Sequence, residues 1–142
     1  MILFCEKTDF LLRNKMVIKN WIVNACKKET KVAGDISFIF CNSEEFLKIN
    51  IKYLNHDFLT DVITFDYSVD NKINGDIFIN MDCVNINSNK FKNTLEKELY
   101  RVMIHGVLHL LNYKDKTKNE KKLMRKKEDF HLCFLLKTLS VN

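Results

Sequence analysis

His105 and His109 stand four residues apart within an apolar run that includes Leu99, Val102, Met103, Val107, Leu108, Leu110 and Leu111. On a helix, residues at this spacing project from one face, one turn apart, so two imidazole nitrogens can reach one metal ion. Histidines inside an apolar helix also need polar partners. Asn112 sits where the apolar pattern stops. Asn tolerates the left-handed backbone that ends helices, so a turn is predicted there, after which Asp115 can swing back toward the histidines. The set His105, His109 and Asp115 then offers three ligands and leaves a fourth position for water, the arrangement of catalytic rather than structural zinc. Two nitrogens and one oxygen also suit nickel, cobalt or iron. Two histidines on one helix also arise by chance, as core side chains with ordinary hydrogen bonds. The apolar surroundings and the following Asp favour the metal.

Gly106 follows His105. A zinc protease of the HExxH type needs a glutamate there as general base, so peptide hydrolysis by that route is disfavoured. Glycine costs helix propensity at this position and clears space for close approach of backbone or ligand.

The elements that must position these residues are read as follows. Ile2–Cys5 is a short strand. Lys15–Lys28 has helical spacing, with Val17, Ile18, Trp21, Ile22 and Ala25 on one face, and Gly34 breaks the pattern. Asp35–Cys41 alternates as a strand, with Ile36, Phe38 and Phe40 on one side. Asn42 and Glu45 form a capping box for a helix running to about Tyr53. A polar loop leads to a strand over Asp61–Tyr67. Asn74-Gly75 marks a turn, and Gly75–Ile79 is the next strand, paired antiparallel with the one before. Asn80 caps a short helix. Asn93 with Glu96 opens the central helix, and Thr117 with Glu120 opens the last, on which Leu123, Phe130 and Phe134 share a face. The fold class is α+β: a small mixed four-stranded sheet packed by about five helices, with the metal site at the C-terminal end of the central helix. Residues 1–142 are read as one domain, without internal repeat, low-complexity tract or linker.

Of the apparent functional surroundings, charge is the most localised. Residues 113–137 hold nine Lys or Arg against four Asp or Glu, and the rest of the chain holds fourteen of each, so the whole net charge of +5 sits beside the candidate metal site. Such a surface suits a polyanionic substrate, although a Lys-rich helix can equally be a solvated face. The five cysteines (Cys5, Cys26, Cys41, Cys83 and Cys133) are odd in number, widely spaced and set in apolar patterns, without a CxxC, as in reduced cytosolic proteins. His131 and Cys133, two apart, are a poor ligand pair on a helix. No apolar run is long enough to span a bilayer, and the first ten residues carry Glu6 and Asp9 without a basic start, unlike a signal peptide. A cytoplasmic location without a membrane partner is expected.

Three blocks carry a family resemblance. His105, Gly106, Leu108, His109, Leu110 and Tyr113 resemble the YbeY signature His-Gly-x-Leu-His-Leu-x-Gly-Tyr-Asp-His. Thr60-Asp61-Val62-Ile63-Thr64-Phe65 is similar to that family's Thr-Asp-Val-Leu-Ser-Phe strand, and Gly75-Asp76-Ile77 to its Gly-Asp-Ile. Order, spacing and length agree over most of the chain. The resemblance implies a zinc-dependent endoribonuclease that cuts single-stranded RNA, with one zinc per chain. Its roles would be maturation of the 3′ end of small-subunit (16S) rRNA and ribosome quality control, with precursor rRNA and the small subunit or its proteins as partners. The chain departs from the signature at Asn112 for glycine, Lys114 for aspartate and Asp115 for the third histidine. A carboxylate is a legitimate zinc ligand, but it lowers the charge of the site. Leu54 stands where many members carry an arginine. Lys52 or His56 could bind phosphate in its place, and Lys114 and Lys116 could contact the backbone near the metal. No general base is assigned: Asp61 and Asp76 are candidates by polarity alone, and a strand-end carboxylate bonding loop amides is the simpler reading for both, as for Asp57 and Asp66. The competing reading is a non-catalytic RNA-binding ribosome-assembly factor with a structural metal.

Overall fold

Strict alternation through Ile36, Phe38 and Phe40 places three buried side chains on one face of a strand and Ile39 and Cys41 on the other. That strand is the centre of the fold. A computed structural model describes residues 1–54 and 60–141. Four strands, β1 (Ile2–Glu6), β2 (Val32–Cys41), β3 (Val62–Asp66) and β4 (Lys72–Asn80), form one sheet in the order β1-β2-β4-β3. β1, β2 and β4 are parallel, and β3 runs antiparallel to β4 with Thr64 opposite Ile77. Helices α1 (Lys15–Lys28), α3 (Met81–Lys90), α4 (Leu95–Leu110) and α5 (Lys118–Val141) contribute to the larger core, which includes Trp21, Ile77, Ile79, Met103, Leu108 and Leu135. Helix α2 (Ser43–Leu54) packs Phe46 and Ile49 against Ile63, Phe65 and Phe78 on the opposite face.

The expected mixed sheet and five helices are present. Three local readings are corrected. Gly34 lies inside β2, at a register shift between Ala33 and Ile36, where the Asn74 side chain accepts the Asp35 amide at 2.8 Å. A β-carbon on Gly34 would collide with Asn74, so glycine marks a bulge and not the start of the strand. Asn74-Gly75 is likewise inside β4. The turn is made earlier, at Asp70, whose φ is 55°, between the bridged residues Val69 and Lys72. At the start of α4 the capping residue is Thr94, whose hydroxyl accepts the Lys97 amide at 3.1 Å, and not Asn93. The Asn42, Asn80 and Thr117 caps are present as expected.

Gly106 faces the sheet. A β-carbon there would lie 2.7 Å from Ile77 Cγ2 on β4. Ile77 is fully buried and β-branched, so its methyl has little freedom to move. For Gly106→Ala, a helix-propensity gain of about 1 kcal/mol competes with an overpacking cost of roughly 1–3 kcal/mol. The clash is expected to win, lowering stability in urea denaturation by about 1 kcal/mol. A more stable variant would mean that α4 can ride away from β4 without cost.

Candidate metal centre

Helix α4 ends in a Schellman turn that aims the next five residues. Asn112 has φ 72°, its amide donates to the His109 carbonyl at 3.0 Å, and the Tyr113 amide donates to the Leu108 carbonyl at 3.0 Å. The left-handed residue that the family signature fills with glycine is therefore filled by Asn, as the sequence pattern anticipates. Six residues beyond His109, Asp115 points back at the helix.

The two imidazoles and the carboxylate converge. His105 Nε2 and His109 Nε2 are 3.0 Å apart, and Asp115 Oδ2 lies 3.2 Å from the first and 3.4 Å from the second. Ligands about 2.05 Å from a tetrahedral zinc stand about 3.3 Å from one another, so the spacing fits a single ion. Among the described residues, these three form the one group of His, Cys, Asp or Glu with metal-binding geometry.

The outer nitrogens decide which atoms face inward. His105 Nδ1 lies 2.7 Å from Glu128 Oε2, and His109 Nδ1 lies 3.1 Å from the Tyr113 carbonyl oxygen. Both partners only accept, so each Nδ1 carries a proton and donates it. In the neutral ring Nε2 is then a bare lone pair. Two such lone pairs and a carboxylate oxygen, all aimed at one point, repel unless a cation or a proton sits between them. Ligand histidines held by a carboxylate and by a backbone carbonyl are the usual outer arrangement of zinc sites.

Glu128, on the buried side of α5, is a site residue that the sequence reading missed. Its side chain is 6% exposed, and its other oxygen accepts from Arg101 Nη1 at 2.9 Å. Burial raises the Glu128 pKa, but hydrogen bonds and charge from His105 and Arg101 outweigh it and hold the carboxyl below its usual range. For His105 burial opposes protonation, yet the Glu128 hydrogen bond and charge, with Asp115 and Asp61, leave its pKa raised. The His109 pKa is lowered by burial and by the neighbouring His105.

A cleft of about 480 Å³ opens over the three side chains, walled by Thr60–Thr64 of the β3 approach, by Asn50 and by Lys116. Asn80, itself buried, fixes that wall: its amide donates to the Asp61 carbonyl at 2.9 Å and its side chain to the Thr60 carbonyl at 3.3 Å. Asp61 lines this cleft and also a second one beyond His105, and burial raises its pKa despite the His105 charge. Asp66 accepts the Ser68 amide at 2.9 Å, the strand-end role expected of it.

The residue model of the family described as "Endoribonuclease YbeY" matches residues 6–135. The chain belongs to the YbeY family. Similar proteins named "Endoribonuclease YbeY" include one from Karelsulcia muelleri, 47% identical over 137 residues, which cover 96% of this chain and 97% of the relative. Another, from Christiangramia forsetii, is 47% identical over 126 residues, covering 89% of this chain and 88% of the relative. The solution structure of TM1509 from Thermotoga maritima matches with a TM-score of 0.68 and 27% identity, covering 100% of this chain and 93% of that one.

The other residues singled out from the YbeY resemblance are placed unevenly. Lys116 lines the metal cleft and Lys114 is exposed on the same turn. Lys52 is exposed near the end of α2, where its ammonium lies 5.2 Å from the centre of the Tyr53 ring. His56 and Asp57 lie outside the described residues. The five cysteines are unpaired, but Cys5 and Cys133 are exposed and do not act as core side chains. Leu123, Phe130 and Phe134 share the outer face of α5. Its inward face carries Met124, Glu128, His131 and Leu135. No helix among the described residues is long and apolar enough to cross a membrane.

Proposed function

We propose that this chain is a zinc-dependent endoribonuclease specific for single-stranded RNA, acting in maturation of the 3′ end of small-subunit rRNA and in ribosome quality control in the cytoplasm. One zinc per chain would be held by His105, His109 and Asp115, the last in place of the histidine usual in the family. The observation that carries this reading is the convergence of two imidazole Nε2 atoms and one carboxylate oxygen within 3.4 Å, open to a cleft. The family supports ribonuclease chemistry, and the single domain expected over residues 1–142 would contain the whole site.

When bound, zinc supplies Lewis acidity toward a phosphate oxygen and makes water more acidic. The chain's own residues do the rest. Glu128 and the Tyr113 carbonyl fix the ring tautomers, so both histidines present Nε2 to the ion. Lys116 at the cleft and Lys114 beside it would hold the RNA backbone, with Lys52 and His56 as further contacts, and ribosomal proteins or the small subunit as partners.

The test pairs native protein with His109→Ala. Elemental analysis should find about one zinc per native chain and little in the variant. Circular dichroism should be unchanged, single-stranded RNA binding retained, and cleavage of a labelled rRNA 3′-end precursor lost. A variant that unfolds would make the metal a structural staple in an assembly factor. A native chain that carries no zinc would remove the hydrolytic reading altogether.

A further inference from the structure

Tyr113 is held at both ends. Its carbonyl oxygen takes the His109 Nδ1 proton at 3.1 Å, and its hydroxyl donates to Glu29 Oε1 at 2.6 Å. Glu29 closes the C-terminal end of α1, more than 80 residues away in sequence, and its side chain is only 8% exposed. A carboxylate so withdrawn from water is costly unless its oxygens are fully bonded. Here they are: His131 Nε2 donates at 2.9 Å and Lys127 Nζ at 3.2 Å, beside the tyrosine hydroxyl. Burial lowers the His131 pKa, so it is a neutral donor at pH 7, and the Trp21 indole fixes its backbone by donating to the His131 carbonyl at 2.8 Å. The cluster lies outside the metal cleft, and nothing in the hydrolytic reading uses it.

Its position in the chain is telling. The turn that carries Asp115 is pinned upstream by the Schellman bonds of Asn112 and Tyr113, and downstream by the Lys116 and Thr117 amides donating to Glu120 at 3.2 and 2.8 Å. Asn112, Lys114 and Lys116 face solvent, so between those two anchors the Tyr113 side chain ties the turn to the body of the protein.

We propose that Glu29 is a positioning residue for the metal centre, acting through Tyr113 to hold the His109 ring and the Asp115 turn in ligand geometry. The inference rests on the metal reading above. Glu29 clamps the tyrosine hydroxyl, the clamped residue sets the height of its own carbonyl, and the carbonyl orients His109. Outer partners of metal ligands typically control affinity by roughly 10–100-fold, and a contact one step further out should act at the lower end of that range.

The test measures zinc affinity by chelator competition and the visible spectrum of the cobalt(II)-substituted protein. The variants are Glu29→Ala, Tyr113→Phe and the double variant, with fold monitored by circular dichroism. Each single variant should bind zinc about tenfold more weakly and alter the cobalt bands. The double variant should be no worse than the singles, because both break one chain of contacts. Ile18→Val, in the core under α1 and outside the contacts of Glu29 and Tyr113, should lower stability and leave zinc affinity unchanged. Glu29→Ala and Tyr113→Phe proteins that bind zinc within twofold of native would overturn the inference alone. A native chain that binds no zinc, like His109→Ala, would overturn it together with the metal reading. Tyr113→Phe removes a single oxygen atom and is expected to fold, so the experiment does not depend on the buried-carboxylate variant surviving.

Discussion

Asp115→Ala is expected to release the metal. The two imidazoles that remain are 3.0 Å apart and offer zinc half of a tetrahedron. The loss of affinity should exceed the roughly 10–100-fold that follows from losing an outer hydrogen-bond partner of a ligand. Asp115→His restores the ligand type that the family signature carries at this position. It should retain zinc, and because it replaces a negative ligand with a neutral one, the centre gains one positive charge. Water is then more acidic at the centre, and the rising limb of the pH–activity profile should move to lower pH. Asp115→Asn keeps an oxygen without the charge and should bind more weakly than the native chain. The measurements are elemental analysis after gel filtration, chelator competition, and RNA cleavage against pH. Stoichiometric zinc in Asp115→Ala would remove the carboxylate from the ligand set and leave the histidines with a different third partner.

That the three side chains meet was legible because every step between them is local. Four residues separate the histidines on one helix face, and the left-handed Asn112 reverses the chain within six residues of His109. The partner of His105 was harder to see. Glu128 is 23 residues away, and its role depends on how α5 crosses α4. A signal was present nonetheless: Met124, Glu128 and Leu132 recur every fourth residue, so a carboxylate stands on the apolar stripe of an otherwise Lys-rich helix. A charge on such a stripe needs a specific partner. The aromatic residues Phe130 and Phe134 form a stronger apolar pattern on the opposite, exposed face. Glu29 gave no comparable signal, because it follows the last periodic residues of α1 and its three donors come from α5 and the turn after α4. In the sheet the error had a different origin. Asn74-Gly75 has the composition of a turn, but the Asn74 side chain serves the bulge at Gly34 and the missing β-carbon of Gly75 leaves room for the Phe65 carbonyl and Leu110, contacts set by the pairing of β4 with its neighbours and not by local propensity.

Arg101→Ala is the substitution expected to cost the most stability. The guanidinium is 15% exposed and binds two carboxylates at once, Glu128 at 2.9 Å and Asp129 at 2.8 Å. Asp129 is exposed and loses little when its partner goes. Glu128 is not: it would keep the His105 ring at 2.7 Å and Arg125 at 3.6 Å, but its buried charge would lose the hydrogen bond and the positive charge of Arg101. Removing one side of a buried pair costs roughly 3–5 kcal/mol, and with Arg125 still near, about 3 kcal/mol is expected at pH 7 in urea denaturation of metal-free protein. Arg101→Lys can reach one carboxylate but not bridge both, so an intermediate loss should follow. The pH dependence identifies the cause. A carboxyl held below its ordinary value near 4.5 in the fold contributes stability that is fully present above that value and is lost as pH falls through the lower folded value. Without Arg101 the depression shrinks, so the gap between native and variant should be widest at neutral pH and narrow below about pH 4.5. A gap that stays constant from pH 7 to pH 3 would assign the loss to packing of the arginine stem and not to the charge it neutralises. Because Glu128 also holds the Nδ1 proton of His105, the same variant should bind zinc more weakly at neutral pH, which ties the stability of the α4–α5 contact to the readiness of the metal centre.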